Sequence, residues 1–164
     1  HHHGSPNRIR MPEEACVSVR SSVRRCVQTL FPRPRTAHAG LMDRVQQWLD
    51  AYLTAWRSND ASDIRALFTE EATYAGGPFD PEPWIGRDAI VEQWLSHRDE
   101  PDEWSFEGAP IAQTGDVGIV EGRTEYANGD VYANIWVIRF ADDGRARSFV
   151  EWYMEPGPVR EDQV

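Results

Sequence analysis

The chain has 164 residues, and His1–Ser5 read as a purification-tag remnant, so about 160 residues remain for one domain and a tail. A domain of that size buries enough surface to need no metal or disulfide. The two cysteines, Cys16 and Cys26, supply neither a disulfide framework nor a zinc spacing. All 17 basic residues are arginine. Seven of them stand before residue 43 against Glu13 and Glu14, leaving ten against 25 acids in the rest. So acidic a body repels phosphates and anionic lipid, which excludes nucleic acid and membrane as partners. With only His38 and His97 outside the tag and no apolar run of membrane length, neither a histidine-built metal centre nor a membrane span is expected. No metal or other cofactor is expected, and the compartment expected is cytoplasmic.

The chain divides near residue 40. Residues 6–40 are Arg-, Ser- and Pro-containing, with one short helix possible at Val17–Leu30, ended by Pro32 and Pro34. Arg24-Arg25 is not followed by the apolar stretch of an export signal, so this segment reads as a dispensable extension, with Met42 a natural start. From Leu41 to Trp56 the apolar residues Leu41, Val45, Trp48, Leu49, Tyr52, Leu53 and Trp56 alternate at three and four, the period of an amphipathic helix. Ser58-Asn59-Asp60 stops that helix and caps a second one carrying Ile64, Leu67 and Phe68. An extended piece at Ala72–Ala75 leads into a loop, GGPFDPEPWIG. A third helix runs from about Arg87 to His97 on Ile90, Val91, Trp94 and Leu95. Four strands follow: Trp104–Gln113, Val117–Tyr126, Val131–Phe140 and Ala146–Glu155. Helices first and antiparallel strands afterwards predict an α+β domain over residues 41–156, with a tail at 157–164.

Two turn signals set the expected register. Read as two-residue turns, Asn128-Gly129 pairs Ala127 with Asp130, and Asp143-Gly144 pairs Asp142 with Arg145. Glu121, Trp136 and Glu151 then form one cross-strand row, Arg123, Asn134 and Tyr153 the next, and Glu125, Tyr132 and Glu155 the third. All nine share a face. The other face, with Val120, Ile135, Val137, Val150, Trp152 and Met154, is the more apolar. Pattern alone therefore sets the helices on the apolar face and leaves the Glu, Arg and Asn residues in water, while Trp136, Ile138, Phe149 and Tyr153 fit a solvated face poorly.

The stretch YLTAWRSNDASDIRALFTEEATYAGGPFDPEPWIGRDAIVEQW, followed by four strands ending FVEWYMEP, resembles the nuclear transport factor two-like superfamily over residues 41–156. That superfamily includes ketosteroid isomerases, polyketide cyclases of the SnoaL type and limonene epoxide hydrolases. The resemblance implies three helices on a strongly curved, mostly antiparallel sheet, forming a cone. The concave face would hold an apolar small molecule, and the convex apolar face would form a homodimer. Tyr52 stands where the isomerases carry an oxyanion-binding tyrosine. Gly76 and Trp136, however, replace their two acids, so no base is supplied for that chemistry.

The resemblance to limonene epoxide hydrolases runs through the SNDA and GRDA stretches. It implies Glu151 as base, Glu125 as acid and Arg123 as the bridge between them, with Tyr74 holding the water. Gly76 stands in place of the family's water-binding asparagine, and Asn134 is the residue that could substitute. Water opens an epoxide only if a base takes its proton while an acid protonates the leaving oxygen, and two carboxylates sharing an arginine can differ in protonation. Against this stands plain cross-strand charge pairing of Glu, Arg and Glu. Glu121, Tyr132, Trp136 and Tyr153 would line the same cavity, with Trp84 as its lid and Trp48, Trp56 and Trp94 filling the core. A polyketide cyclase, an isomerase and a non-catalytic binder are the alternative functions.

Overall fold

A computed structural model describes residues 37–155, with side chains from Met42 onward. The expected helix at Val17–Leu30, the expected extension up to residue 36 and the tail at 157–164 lie outside the described residues, whereas residues 37–40 open the first helix.

The first helix, α1 (Ala37–Ser58), buries Val45, Trp48, Leu49, Tyr52, Ala55 and Trp56 along one stripe, as the spacing requires. It ends at Asn59, whose backbone sits in the left-handed region at φ 49° and whose N–H closes on the Ala55 carbonyl at 2.8 Å. Asp60 then caps α2 (Ala61–Leu67), accepting from the backbone N–H groups of Ser62 and Asp63. The strand β1 (Phe68–Ala75) follows without a break, so the extended piece begins four residues earlier than its composition suggests. The Gly- and Pro-rich loop ends in a two-residue strand, β2 (Trp84–Ile85), and α3 (Arg87–Ser96) buries Ile90, Val91 and Trp94. The remaining strands are β3 (Trp104–Thr114), β4 (Val117–Tyr126), β5 (Val131–Phe140) and β6 (Ala146–Met154).

The six strands make one open, mixed sheet in the order β2-β1-β6-β5-β4-β3. Only β1 and β6 run parallel, pairing Tyr74 with Phe149. The helices cover one face of this cone, and the core between them is aromatic: Trp136 and Phe149 are fully buried, and Tyr52 packs on both, with ring centroids 4.8 and 5.3 Å away. Gly108 and Gly122, opposite one another on β3 and β4, clear the space in which the Phe106 ring lies flat on Trp136 at 4.7 Å. A Cβ on Gly122 would stand 2.3 Å from that ring. No described helix is long and apolar enough to cross a membrane.

The register of β4 against β5 differs from expectation by one residue. Tyr126, not Ala127, closes the turn: its N–H donates to the Asp130 carbonyl at 2.9 Å, and Gly129 takes φ 97°. Three residues therefore form the loop, a tight turn followed by a left-handed glycine. Val120 faces Trp136, Gly122 faces Asn134, and Thr124 faces Tyr132. A slip of one residue exchanges the faces of a strand, so Glu121, Arg123 and Glu125 point away from the helices. The expected face of β5 and β6 is the one seen, with Trp136 opposite Glu151 and Asn134 opposite Tyr153.

Candidate active site

Alternation along β6 sends Phe149, Glu151 and Tyr153 toward the helices, and the parallel neighbour β1 brings Tyr74 alongside them. The Tyr74 hydroxyl donates to Glu151 Oε2 at 2.7 Å, and the Tyr52 hydroxyl of α1 lies 3.0 Å from that of Tyr74. A tyrosine has one proton to give. With Glu151 ionised and Tyr74 committed to it, Tyr52 is the donor to Tyr74. The order of donation is Tyr52 to Tyr74 to Glu151.

Burial raises the Glu151 carboxyl above its usual value, the bond from Tyr74 pulls it partly back, and the charge of Asp99 raises it further. Burial, and then the negative charge at Glu151, also push both tyrosines well above their usual value, so they remain neutral donors. Among the described residues, Oε1 of Glu151 has no hydrogen-bond partner in the protein.

Asp99 follows α3. Its Oδ2 accepts from Trp56 Nε1 at 3.1 Å and from the Tyr126 hydroxyl at 3.2 Å. Asn59 holds the Asp99 carbonyl through Nδ2 at 2.9 Å, and Trp94 Nε1 donates to Asn59 Oδ1 at 3.2 Å. The left-handed residue that ends α1 is thus also the clamp on the Asp99 backbone. Burial first, and the Asp99 charge second, push the Tyr126 hydroxyl up from its usual value.

These groups border two neighbouring spaces that share lining residues. A cleft of about 760 Å³ is lined by Asp99, Glu103, Asp130 and Glu151, by Tyr126, Tyr132 and Tyr153, and by Thr124 and Asn134. A recess of about 170 Å³ shares Asp99, Tyr126 and Glu151 with it and is otherwise lined by Tyr52, Trp56, Tyr74, Trp84 and Trp94 and by His97 and Arg98. Asn134 is 3% exposed, and its Oδ1 accepts from Thr124 Oγ1 at 2.7 Å, which fixes the amide with its NH₂ free to donate into the cleft.

Of the residues expected here, the structure brings together Tyr52, Tyr74, Trp84, Tyr132, Asn134, Tyr153 and Glu151. Trp136 is wholly buried behind them and lines neither space; its Nε1 has no partner. Trp84 is no free lid. It is pinned in β2 opposite Tyr74, with ring centroids 4.7 Å apart.

The Glu151–Arg123–Glu125 trio does not form. Arg123 and Glu125 pair with each other at 2.9 Å on the outer face, with side chains 58% and 52% exposed, and Glu121 lines an outer groove beside Arg123. The three-residue turn is the physical cause.

Asp99, Tyr126 and Thr124 enter the site without having been expected. Asp99 sits in the charged run SHRDEPDE, which has no periodicity to mark it. Tyr126 and Thr124 become legible once the turn is counted as three residues. Trp56 and Trp94 fill the core as expected, but their indole N–H groups also support the clamp. No cluster of three or more His, Cys, Asp or Glu side chains among the described residues could hold a metal ion.

A helix-covered, open cone with a cleft on the concave side defines an α+β pocket protein. The SnoaL-like domain model matches residues 49–149, more than half of the chain, and the protein belongs to that family. Solved structures share the fold. An NTF-2 like protein of unknown function from Burkholderia xenovorans is 19% identical, with 75% of this chain and 92% of its own covered and a TM-score of 0.60. A ketosteroid isomerase-like protein from Erwinia carotovora is 20% identical over 70% and 97%, with a TM-score of 0.53. An LEH-like epoxide hydrolase of M. tuberculosis is 14% identical over 69% and 84%, with a TM-score of 0.54. No curated protein matches the sequence.

Proposed function

We propose that this protein is an acid–base enzyme acting on a small molecule in the cleft, and that its reaction is the addition of water, as in an epoxide hydrolase-like hydrolase. The observation that carries this is the Glu151 carboxyl. It is raised by burial, steadied by the Tyr52–Tyr74 chain on one oxygen, and has its other oxygen unpartnered in a site bordering the cleft.

A base needs a held water. Glu151 and Asn134 are diagonal neighbours on one face, so a water between them donates to the carboxylate while accepting from the amide NH₂. Attack forms the bond from water oxygen to carbon, breaks the carbon–oxygen bond of the substrate and delivers a proton to Glu151. The departing oxygen takes a proton from Tyr126, the cleft hydroxyl resting on Asp99. An alkoxide is about as basic as hydroxide and far more basic than a phenolate, so even a weakened phenol protonates it. The carboxylate pair of the cleft is thus Glu151 with Asp99, and Arg123 and Glu125 have no part in it. The same base would serve an isomerase or cyclase of this family by taking a proton from carbon.

Turnover of an epoxide panel in heavy-oxygen water tests the reading. Glu151→Gln should lower turnover by about 10²- to 10⁴-fold, and the label should appear in the product. Activity untouched by Glu151→Gln would overturn the role of the base. Unlabelled product would move the chemistry to isomerisation.

A homodimer through the outer sheet face belongs to the same proposal. Trp152, Met154 and Ile111 are 38%, 43% and 53% exposed, and a second copy would cover the outer face. A monomer in sedimentation at micromolar concentration would remove it.

A further inference from the structure

The substrate cleft has a one-sided charge. Four carboxylates line it, Glu103 and Asp130 at the exposed rim and Asp99 and Glu151 deeper in, and no basic side chain does. Arg98 lines the adjoining recess, where it is paired with Glu100, and the other ion pairs among the described residues lie elsewhere: Arg65–Asp88, Arg123–Glu125, Arg145–Asp143 and Arg147–Asp116. The four cleft acids accept only from neutral donors. Glu103 takes the Glu100 N–H and Asp130 the Asn128 amide, while indole or phenol groups serve the two inner acids.

Three tyrosine rings stand among these charges. Tyr132 meets Tyr126 and Tyr153 edge-to-face, with centroids 5.9 and 5.8 Å apart, so ring faces of differing orientation border one space. Aromatic faces and carboxylates are the two groups that attract an organic cation. A cleft lined by one sign of charge also concentrates the opposite ion at its mouth.

A separate observation points to a ligand. Asn134 is buried to 3% exposure and borders the cleft, and its amide NH₂ has no partner among the described residues. The amide nitrogen is not among the buried atoms left without a partner, so it is open to the cleft, and its second N–H can take a ligand acceptor beside the water proposed on the first.

We infer that the cleft binds a small organic cation, an ammonium-bearing molecule that also carries an acceptor oxygen, with the ammonium among Asp99, Glu103 and Asp130 and the oxygen at Asn134. This rests on the reading of the cleft as the substrate site and names the substrate class. It replaces the neutral, apolar ligand that the sequence suggests. A volume of about 760 Å³ suits a molecule of drug-like size rather than an inorganic ion. The arrangement also fits the proposed chemistry, because a cation near Glu151 favours its charged form, the one that accepts a proton.

Calorimetric titration with three probes of one shape tests the inference: 2-phenylethylamine, 2-phenylethanol and phenylacetate. The amine should bind at least about tenfold more tightly than the alcohol, and the carboxylate should not bind. Raising salt to about 0.5 M should weaken the amine several-fold and leave the alcohol unchanged, because rim charges are screened. The double variant Glu103→Gln with Asp130→Asn, which leaves the proposed acid–base groups in place, should lose several-fold in amine affinity and keep its melting temperature. Equal or tighter binding of the alcohol, or an unaltered amine affinity in that variant, would overturn the inference.

Titration of Glu151→Gln separates the two proposals. Preference for the amine should persist in it while turnover is lost. Wild-type preference for the alcohol with turnover still dependent on Glu151 would sink the cation and spare the base. Amine preference with turnover indifferent to Glu151 would do the reverse.

Discussion

The two hairpins of the sheet, β4–β5 and β5–β6, are built on the same turn and end with different registers. Each closes around three residues with a left-handed glycine, Gly129 at φ 97° and Gly144 at 87°. Each has an N–H from the first flanking residue to the carbonyl of the last, Tyr126 to Asp130 and Ala141 to Arg145. Beyond the second turn β6 carries one extra residue: Phe140 pairs with Ala146, but Arg139 pairs with Ser148. The residue left over, Arg147, sends its side chain to Asp116 in the turn between β3 and β4. That bulge sets Glu151 opposite Trp136 on the concave face; without it the strand would be one residue out of step. The first hairpin has no such correction, and its acids and Arg123 face outward. Turn residues thus predict which strands pair, while faces depend on how many residues turn and bulge absorb together.

The largest effect expected from this difference comes from two adjacent residues of β4. Val120 is fully buried and Glu121 exposed. Val120→Glu should cost about 3–5 kcal/mol, as an uncompensated buried charge does, while Glu121→Val should change the melt little. A two-residue turn would reverse the two outcomes in a thermal melt.

A smaller effect concerns the pH dependence of stability. The Glu151 carboxyl is raised in the folded state, so between its ordinary value of 4.5 and its folded value the folded chain holds a proton that the unfolded chain has released. Stability from this group is complete below about pH 4.5 and is lost as pH climbs through the folded value. Denaturant melts from pH 4 to pH 8 should therefore show the wild type falling relative to Glu151→Gln as pH rises. Parallel curves would mean that Glu151 is not held away from water. The smallest effect belongs to Arg123→Ala. An exposed pair is worth at most ~1 kcal/mol, so its melt should stay near that of the wild type.

Much of this was legible in the sequence, and the limits have physical causes. The helix stripe from Val45 to Trp56, the Asp60 cap and the β4 and β5 bounds follow from local spacing and turn chemistry. Tyr52, Tyr74 and Glu151 could be named because the resemblance places them, and β5 and β6 carry the alternation that puts Glu151 beside Asn134. The fate of Arg123 and Glu125 turned on whether Ala127 belongs to the strand or to the loop, and alanine carries no signal either way. Asp99 was hidden for another reason. It is held by Trp56, Asn59 and Tyr126, residues 27 to 43 positions away, and nothing local in SHRDEPDE distinguishes an acid that is held from its solvated neighbours.

β6 is the last of the described strands in chain order, yet it lies in the middle of the sheet, between β1 and β5. Tyr74 and Glu151 are 77 positions apart, and their bond exists only once that strand has inserted. Contacts of such long range are slow to form, because loop-closure entropy is lost before they contribute. A chain still emerging from the ribosome can build its helices and the β3–β4 hairpin while Tyr52 and Tyr74 wait for the carboxylate at the end of their chain. The Tyr52–Tyr74–Glu151 chain would then be completed late in folding, arriving with the strand that completes the sheet.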